Sequence, residues 1–225
     1  MLKNPDLKHS FLKILIVTIF ITLSFLVNSP LEAQYKLGVN SFGMILNNDS
    51  SKPSGIIASG FAIDTNIVIS CYHIFKNLKH TRKFYRVAKD GIALVRLVDS
   101  LPEYDIAILK SPDYLTNMPM TLGDYASIKK GDRIGYVGFN KYGESVLCVG
   151  FISKTDSIKS NGIWLNRLIF STRELPGSPG SPILNTKGMV IGMITKGSSL
   201  KRGSQVIGIV GYSVKQLKYT RYLGF

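Results

Sequence analysis

The chain has 225 residues, of which 45% are hydrophobic and 19% charged, so it can bury a core and is too apolar for a disordered chain. Its length fits one domain behind a leader, and no internal repeat suggests an array. The formal net charge is +14, yet no zinc spacing, recognition-helix pattern or aromatic RNA-binding box accompanies the basic residues, which argues against a nucleic-acid binder.

Residues 1–13 carry Lys3, Lys8 and Lys13, and Ile14 to Val27 is almost wholly apolar. A basic segment before an apolar run of this length is the pattern of a signal peptide. Ala33 offers a residue before a cut, although Leu31 fills the earlier small position. Extended back to Phe11, the same run nears the lower limit of a bilayer span. Residues 1–33 are therefore expected to be a cleaved signal peptide or an N-terminal membrane anchor. Both readings place residues 34–225 outside the cytoplasm, in a periplasm or the extracellular space.

Short apolar runs then alternate with turn signals. Ile56 to Ile63 reads as a strand closed by Asp64-Thr65-Asn66, and Ile67 to Ser70 as the next, ahead of a helical turn at Cys71 to Phe75. Lys83 to Val87, Ile92 to Val98 and Asp105 to Lys110 are the following strands. Arg133 to Phe139 and Val146 to Ser153 are split by the turn Asn140–Gly143. Trp164 to Phe170, Ile183 to Leu184, Val190 to Thr195 and Gln205 to Val210 complete the set. Ser213 to Tyr222 reads as a short C-terminal helix with Val214 and Leu217 on one face. So many short strands predict an all-β domain, a barrel or a sandwich. Cys71 and Cys148 lie in no metal or redox spacing and are expected to be buried thiols rather than a disulfide, with no metal or cofactor implied.

Three stretches carry chemistry. Ile67 to Tyr72 is a β run ending in His73; Asp105 directly precedes the alternation Ile106-Ala107-Ile108-Leu109; and a Gly/Ser loop runs Gly177-Ser178-Pro179-Gly180-Ser181-Pro182. His, Asp and a tight Gly/Ser loop, in that order, follow one chain order of the serine-hydrolase triad. Such a site needs an imidazole to take the nucleophile's proton. It also needs a carboxylate to hold the imidazole, and a loop whose N–H groups face the oxyanion.

From about Ser59 to Leu217 the chain resembles the protease domain of the Deg/Htr-type trypsin-like serine proteases, without a PDZ module. Ser59-Gly60-Phe61-Ala62-Ile63-Asp64 resembles the entry strand of that family. Leu122-Gly123-Asp124, Gly131-Asp132 and Gly138 to Gly143 resemble its middle motifs, and Gly188 to Met193 its strand after the nucleophile. The resemblance implies two six-stranded antiparallel β-barrels with the site in the cleft between them. It makes His73 the base, Asp105 the orienting acid and Gly177 an oxyanion-hole donor. It also places Arg173, six residues before the nucleophile, where a specificity pocket is lined; a solvated loop arginine is the plainer reading.

The loop departs from the family pattern Gly-Asn-Ser-Gly-Gly-Pro, or Gly-Asn-Ser-Gly-Ser-Pro in the glutamyl endopeptidase branch. With Gly177 and Pro182 anchoring the register, the nucleophile position falls on Pro179. Proline has neither a hydroxyl nor a backbone N–H, so one residue removes the attacking atom and one of two oxyanion donors. Ser178 lies one residue early and Ser181 two residues late. The chain is therefore expected to be an exported, catalytically inactive protease homologue that binds a peptide, an unfolded protein or an envelope protein. Two alternatives stand beside it. One is an active endopeptidase using Ser178 as a displaced nucleophile with His73 and Asp105. The other is a basic module in weak contact with an anionic membrane or cell-wall surface.

Overall fold

The computed structural model describes residues 42–47, 56–76, 84–88, 91–113, 115, 118–139, 144–160, 162–172, 175, 178–198 and 205–210. The leader, Arg173, Gly177 and the expected C-terminal helix over Ser213 to Tyr222 lie outside the described residues.

Among the described residues, twelve strands form two closed six-stranded antiparallel barrels. The first holds β1 (Phe42–Asn47), β2 (Ile56–Ala62), β3 (Ile67–Cys71), β4 (Phe84–Ala88), β5 (Gly91–Leu101) and β6 (Ile106–Lys110) in the order β1-β2-β3-β6-β5-β4, and β1 pairs with β4 to close it. The second holds β7 (Arg133–Phe139), β8 (Ser145–Ser160), β9 (Ile163–Ser171), β10 (Pro182–Leu184), β11 (Val190–Ser198) and β12 (Gln205–Val210) in the order β10-β11-β12-β9-β8-β7, closed by β10 on β7. Closure means that, within the barrels, each described strand has a partner on both sides.

The packing of the barrels explains why β3 and β6 read as continuous apolar runs. Every residue of β3 is buried, and only Lys110 of β6 is exposed. Side chains alternate across a strand, so such a run has two apolar faces to satisfy. Val68, Ala107 and Leu109 point into the first barrel with Ala58, Val95 and Phe75. Ile67, Ile69, Cys71, Ile106 and Ile108 point the other way and pack with Val137, Phe139, Leu184, Val190 and Met193 of the second barrel. Each fully buried aliphatic side chain contributes about 1.5–3 kcal/mol, so this shared core fixes the two barrels against each other. The ends of β3 and β6 consequently open into the seam between barrels. A separate cluster inside the second barrel contains Ile134, Tyr136, Leu168, Phe170, Ile183 and Ile194, with Tyr136 set edge-on to Phe170 at 6.3 Å between ring centres.

β1 and β8 depart furthest from the sequence expectation, while β5 and β11 each run three residues past their expected ends. β1 has no counterpart in that expectation, and β8 runs seven residues past the expected Ser153 end. Beyond Phe151, where pairing with β7 stops, β8 continues on β9 to Ser160↔Ile163 as a two-stranded ribbon. Asp156 faces Arg167 across it and takes a forked pair of hydrogen bonds at 2.7 and 2.6 Å, with Lys154 at 2.7 Å from the same carboxylate. A two-pronged guanidinium–carboxylate contact orients as well as attracts, which holds a ribbon whose sequence shows no strict alternation.

Candidate active-site cleft

β3 ends in a single 3₁₀ turn, Tyr72–Ile74, in which Phe75 N donates to Tyr72 O at 2.8 Å. Its partner begins where the 3₁₀ turn Pro102–Tyr104 meets β6. Asp105 stands there in the left-handed conformation, φ 56° and ψ 37°. Among residues with a Cβ, Asp and Asn tolerate this conformation best. The two turns are tied three ways: Tyr72 N donates to Asp105 O at 3.0 Å, His73 N to Asp105 Oδ1 at 2.8 Å, and His73 Nδ1 to Asp105 Oδ2 at 2.7 Å. A carboxylate can only accept, so Nδ1 carries the proton and the other ring nitrogen, Nε2, is left as the acceptor. The imidazole is 46% exposed and the carboxylate 22%. His73 and Asp105 thus form an oriented, hydrogen-bonded pair where β3 ends and β6 begins.

The Gly/Ser loop lies beside this pair. The carbonyl of Ile194 accepts both Gly180 N at 2.7 Å and the Cys71 thiol at 3.2 Å. Cys71 Sγ in turn lies within 4.8 Å of ligand atoms of both His73 and Asp105. The loop is clamped from the first barrel by Ser59, whose N donates to Pro179 O at 2.8 Å and whose carbonyl accepts the Ser70 hydroxyl at 2.8 Å. Gly180 takes φ +89°, and a Cβ there would stand 2.0 Å from Ser59 O. Only glycine satisfies both the angle and the approach.

The hydroxyls and amides of the loop point to structure. Ser178 is 1% exposed, and its hydroxyl donates to Leu175 O at 2.5 Å and bonds the phenol of Tyr136. Tyr136 also accepts Leu175 N at 3.1 Å, and burial pushes its phenol well above its ordinary range. Ser181 is fully buried and its hydroxyl has no hydrogen-bond partner among the described residues. Ser181 N donates to Ser178 O at 2.9 Å and Gly180 N to Ile194 O, while Pro179 has no N–H, so residues 179–181 present no spare amide to the cleft.

Sequence reasoning missed the supporting residues. Cys71, buried like Cys148 and in no disulfide, sits against the His73–Asp105 pair; burial pushes its thiol well up, and the neighbouring Asp105 charge raises it further. The one available signal was its position two residues before His73. Ser59, Ser70 and Leu175 meet the loop only through the fold, and no local pattern marks them.

Comparison with known proteins agrees with this geometry. The sequence model of the trypsin-like peptidase domain matches residues 58–193. The anti-sigma-I factor RsgI9 of Acetivibrio thermocellus is 27% identical over 199 residues, covering 80% of this chain and 26% of the relative, so the chain spans about a quarter of that protein. Among solved structures, the HtrA-type protease AlgW with a decapeptide aligns with TM-score 0.66 and 21% identity over 80% of this chain and 63% of the other. The active form of the Rv3671c protease from M. tuberculosis aligns with TM-score 0.70 and 18% identity over 86% and 85%. At these identities the structural likeness speaks for the fold.

Proposed function

This chain belongs to the trypsin-like peptidase domain family, and from that premise we propose that it is an exported member that binds a peptide segment in the cleft between its barrels without cleaving it. The observation that carries the reading is the disposition of the loop hydroxyls. In this reading Pro179 occupies the nucleophile position, and the hydroxyl of Ser178, the neighbouring serine in sequence, is buried, donates to Leu175 O and meets the Tyr136 phenol. His73 and Asp105 keep the geometry of a general base, but a base needs a proton to take within hydrogen-bond reach. The missing Pro179 N–H also removes an electrostatic donor of a kind worth about 3–4 kcal/mol to the barrier in other hydrolases.

Peptide binding is supported by the solved neighbours that hold peptides, AlgW with a decapeptide and with a tripeptide. Export is supported by the basic and apolar segment over residues 1–27. The test is a fluorescently labelled unfolded polypeptide incubated with the wild-type chain. Retention on the protein with the polypeptide still full-length supports the reading. Cleavage at discrete sites, lost in His73→Ala, refutes it.

A further inference from the structure

Three different ligand types converge at the seam: the Cys71 thiol, a ring nitrogen of His73 and the Asp105 carboxylate, with all three ligand atoms within 4.8 Å of one another. The sequence spacing concealed this. Cys71 and His73 are separated by one residue, and Asp105 lies in another strand–turn junction, so no metal motif is written in the chain. The fold brings them together because β3 and β6 are hydrogen-bonded neighbours, pairing Cys71 with Ile106, and both end at the same point of the seam. We propose that this cluster is a transition-metal site, of the class that takes Zn(II) through one sulfur, one nitrogen and one oxygen and leaves a fourth position for solvent or a ligand. The donor set has the composition such ions select, with a soft thiolate and an imidazole beside a carboxylate.

Charge supports the assignment. A dication with one thiolate and one carboxylate is net neutral, which suits a place where Cys71 is wholly buried. The proton balance is simple. The thiol proton leaves to solvent, the Nδ1 proton moves to Nε2 by exchange with water, and nothing is oxidised or reduced. The Nδ1–Oδ2 separation of 2.7 Å is that of a hydrogen bond and would widen by about half an ångström around a tetrahedral ion. The imidazole is 46% exposed and gives the ion a way in. The occupied site would hold His73 by the nitrogen that otherwise donates to Asp105, so metal binding and general-base geometry exclude each other.

The test uses the full-length chain titrated with Co(II), whose bond to a thiolate adds a near-ultraviolet charge-transfer band. A band saturating at one equivalent, lost in Cys71→Ser and kept in Cys148→Ser, is the expected result. Zn(II) should then displace the Co(II) and abolish the band. No band in the wild type, or a band that survives Cys71→Ser, overturns the proposal. Should Cys71→Ser fail to fold, His73→Ala decides, because that side chain is exposed: Co(II) affinity should fall at least about tenfold, and an unchanged affinity overturns the site. These readouts do not depend on peptide binding, so each proposal can fail alone.

Discussion

The buried hydroxyl of Ser178 donates to the carbonyl of Leu175. The bond joins the start of the Gly/Ser loop to the segment that enters it and engages the Tyr136 phenol at the same point. Ser178 is therefore a structural residue in this account. Ser178→Ala would leave a buried carbonyl and phenol short of a partner, at about 1–3 kcal/mol. Thermal melts should show a fall of several degrees, at about 2–4 °C per kcal/mol for a chain of this size.

Ser181 gives the opposite expectation from three residues away. Its hydroxyl is buried with no partner among the described residues, so Ser181→Ala should leave the melting temperature unchanged or raise it. A loss of several degrees would mean that the hydroxyl is held by a bond absent from this geometry.

Gly180→Ala should be the most damaging single change in the loop. The added Cβ would meet Ser59 O at 2.0 Å at a φ of +89°. Strain of about 1–3 kcal/mol from the backbone angle alone is joined by the need to move the Ser59 strand away. Denaturant titration should show a loss above about 2 kcal/mol. The alternative outcome, a change below about 0.5 kcal/mol, would show that the loop relaxes freely.

Much of this was legible beforehand. Ile67 to Ser70 and Ile106 to Leu109 declared themselves as strands because burial on two faces leaves a continuous apolar run, which few other environments produce. His73 and Asp105 could be paired because each sits at the end of such a run. The outer half of the β8–β9 ribbon was not legible. The expected strand stops at Ser153, short of Lys154, Asp156 and Lys159, and what pairs this stretch with β9 includes a cross-strand fork from Arg167 to Asp156, visible only after folding. The role of Ser178 was hidden for the same reason. A serine beside a proline in a Gly-rich loop has the look of a displaced nucleophile until its partner, Leu175 O, is in place.

The ribbon supplies a pH test. Hydrogen bonds from Arg167 and then Lys154 hold the Asp156 carboxyl well below the usual carboxylate range. A group whose folded value is depressed stabilises the fold above its unfolded value, about 3.9, and loses that contribution as pH falls through the folded value. The pair is at the surface, so its worth is about 1 kcal/mol or less. Arg167→Met should lower stability at neutral pH by that amount and make no difference at the acid end, flattening the acid limb of the stability curve. An equal loss at both ends would assign the effect of Arg167 to packing.

The proposal that Pro179 stands at the nucleophile position and leaves the chain without a working nucleophile is tested most directly by fluorophosphonate labelling. The wild type, Pro179→Ser and Ser178→Ala are treated with the probe under native conditions. No labelling of the wild type or Ser178→Ala, and labelling of Pro179→Ser that disappears when His73→Ala is added, is the result this account predicts. Labelling of the wild type that Ser178→Ala abolishes would contradict it, because the buried serine would then be the enzyme's nucleophile.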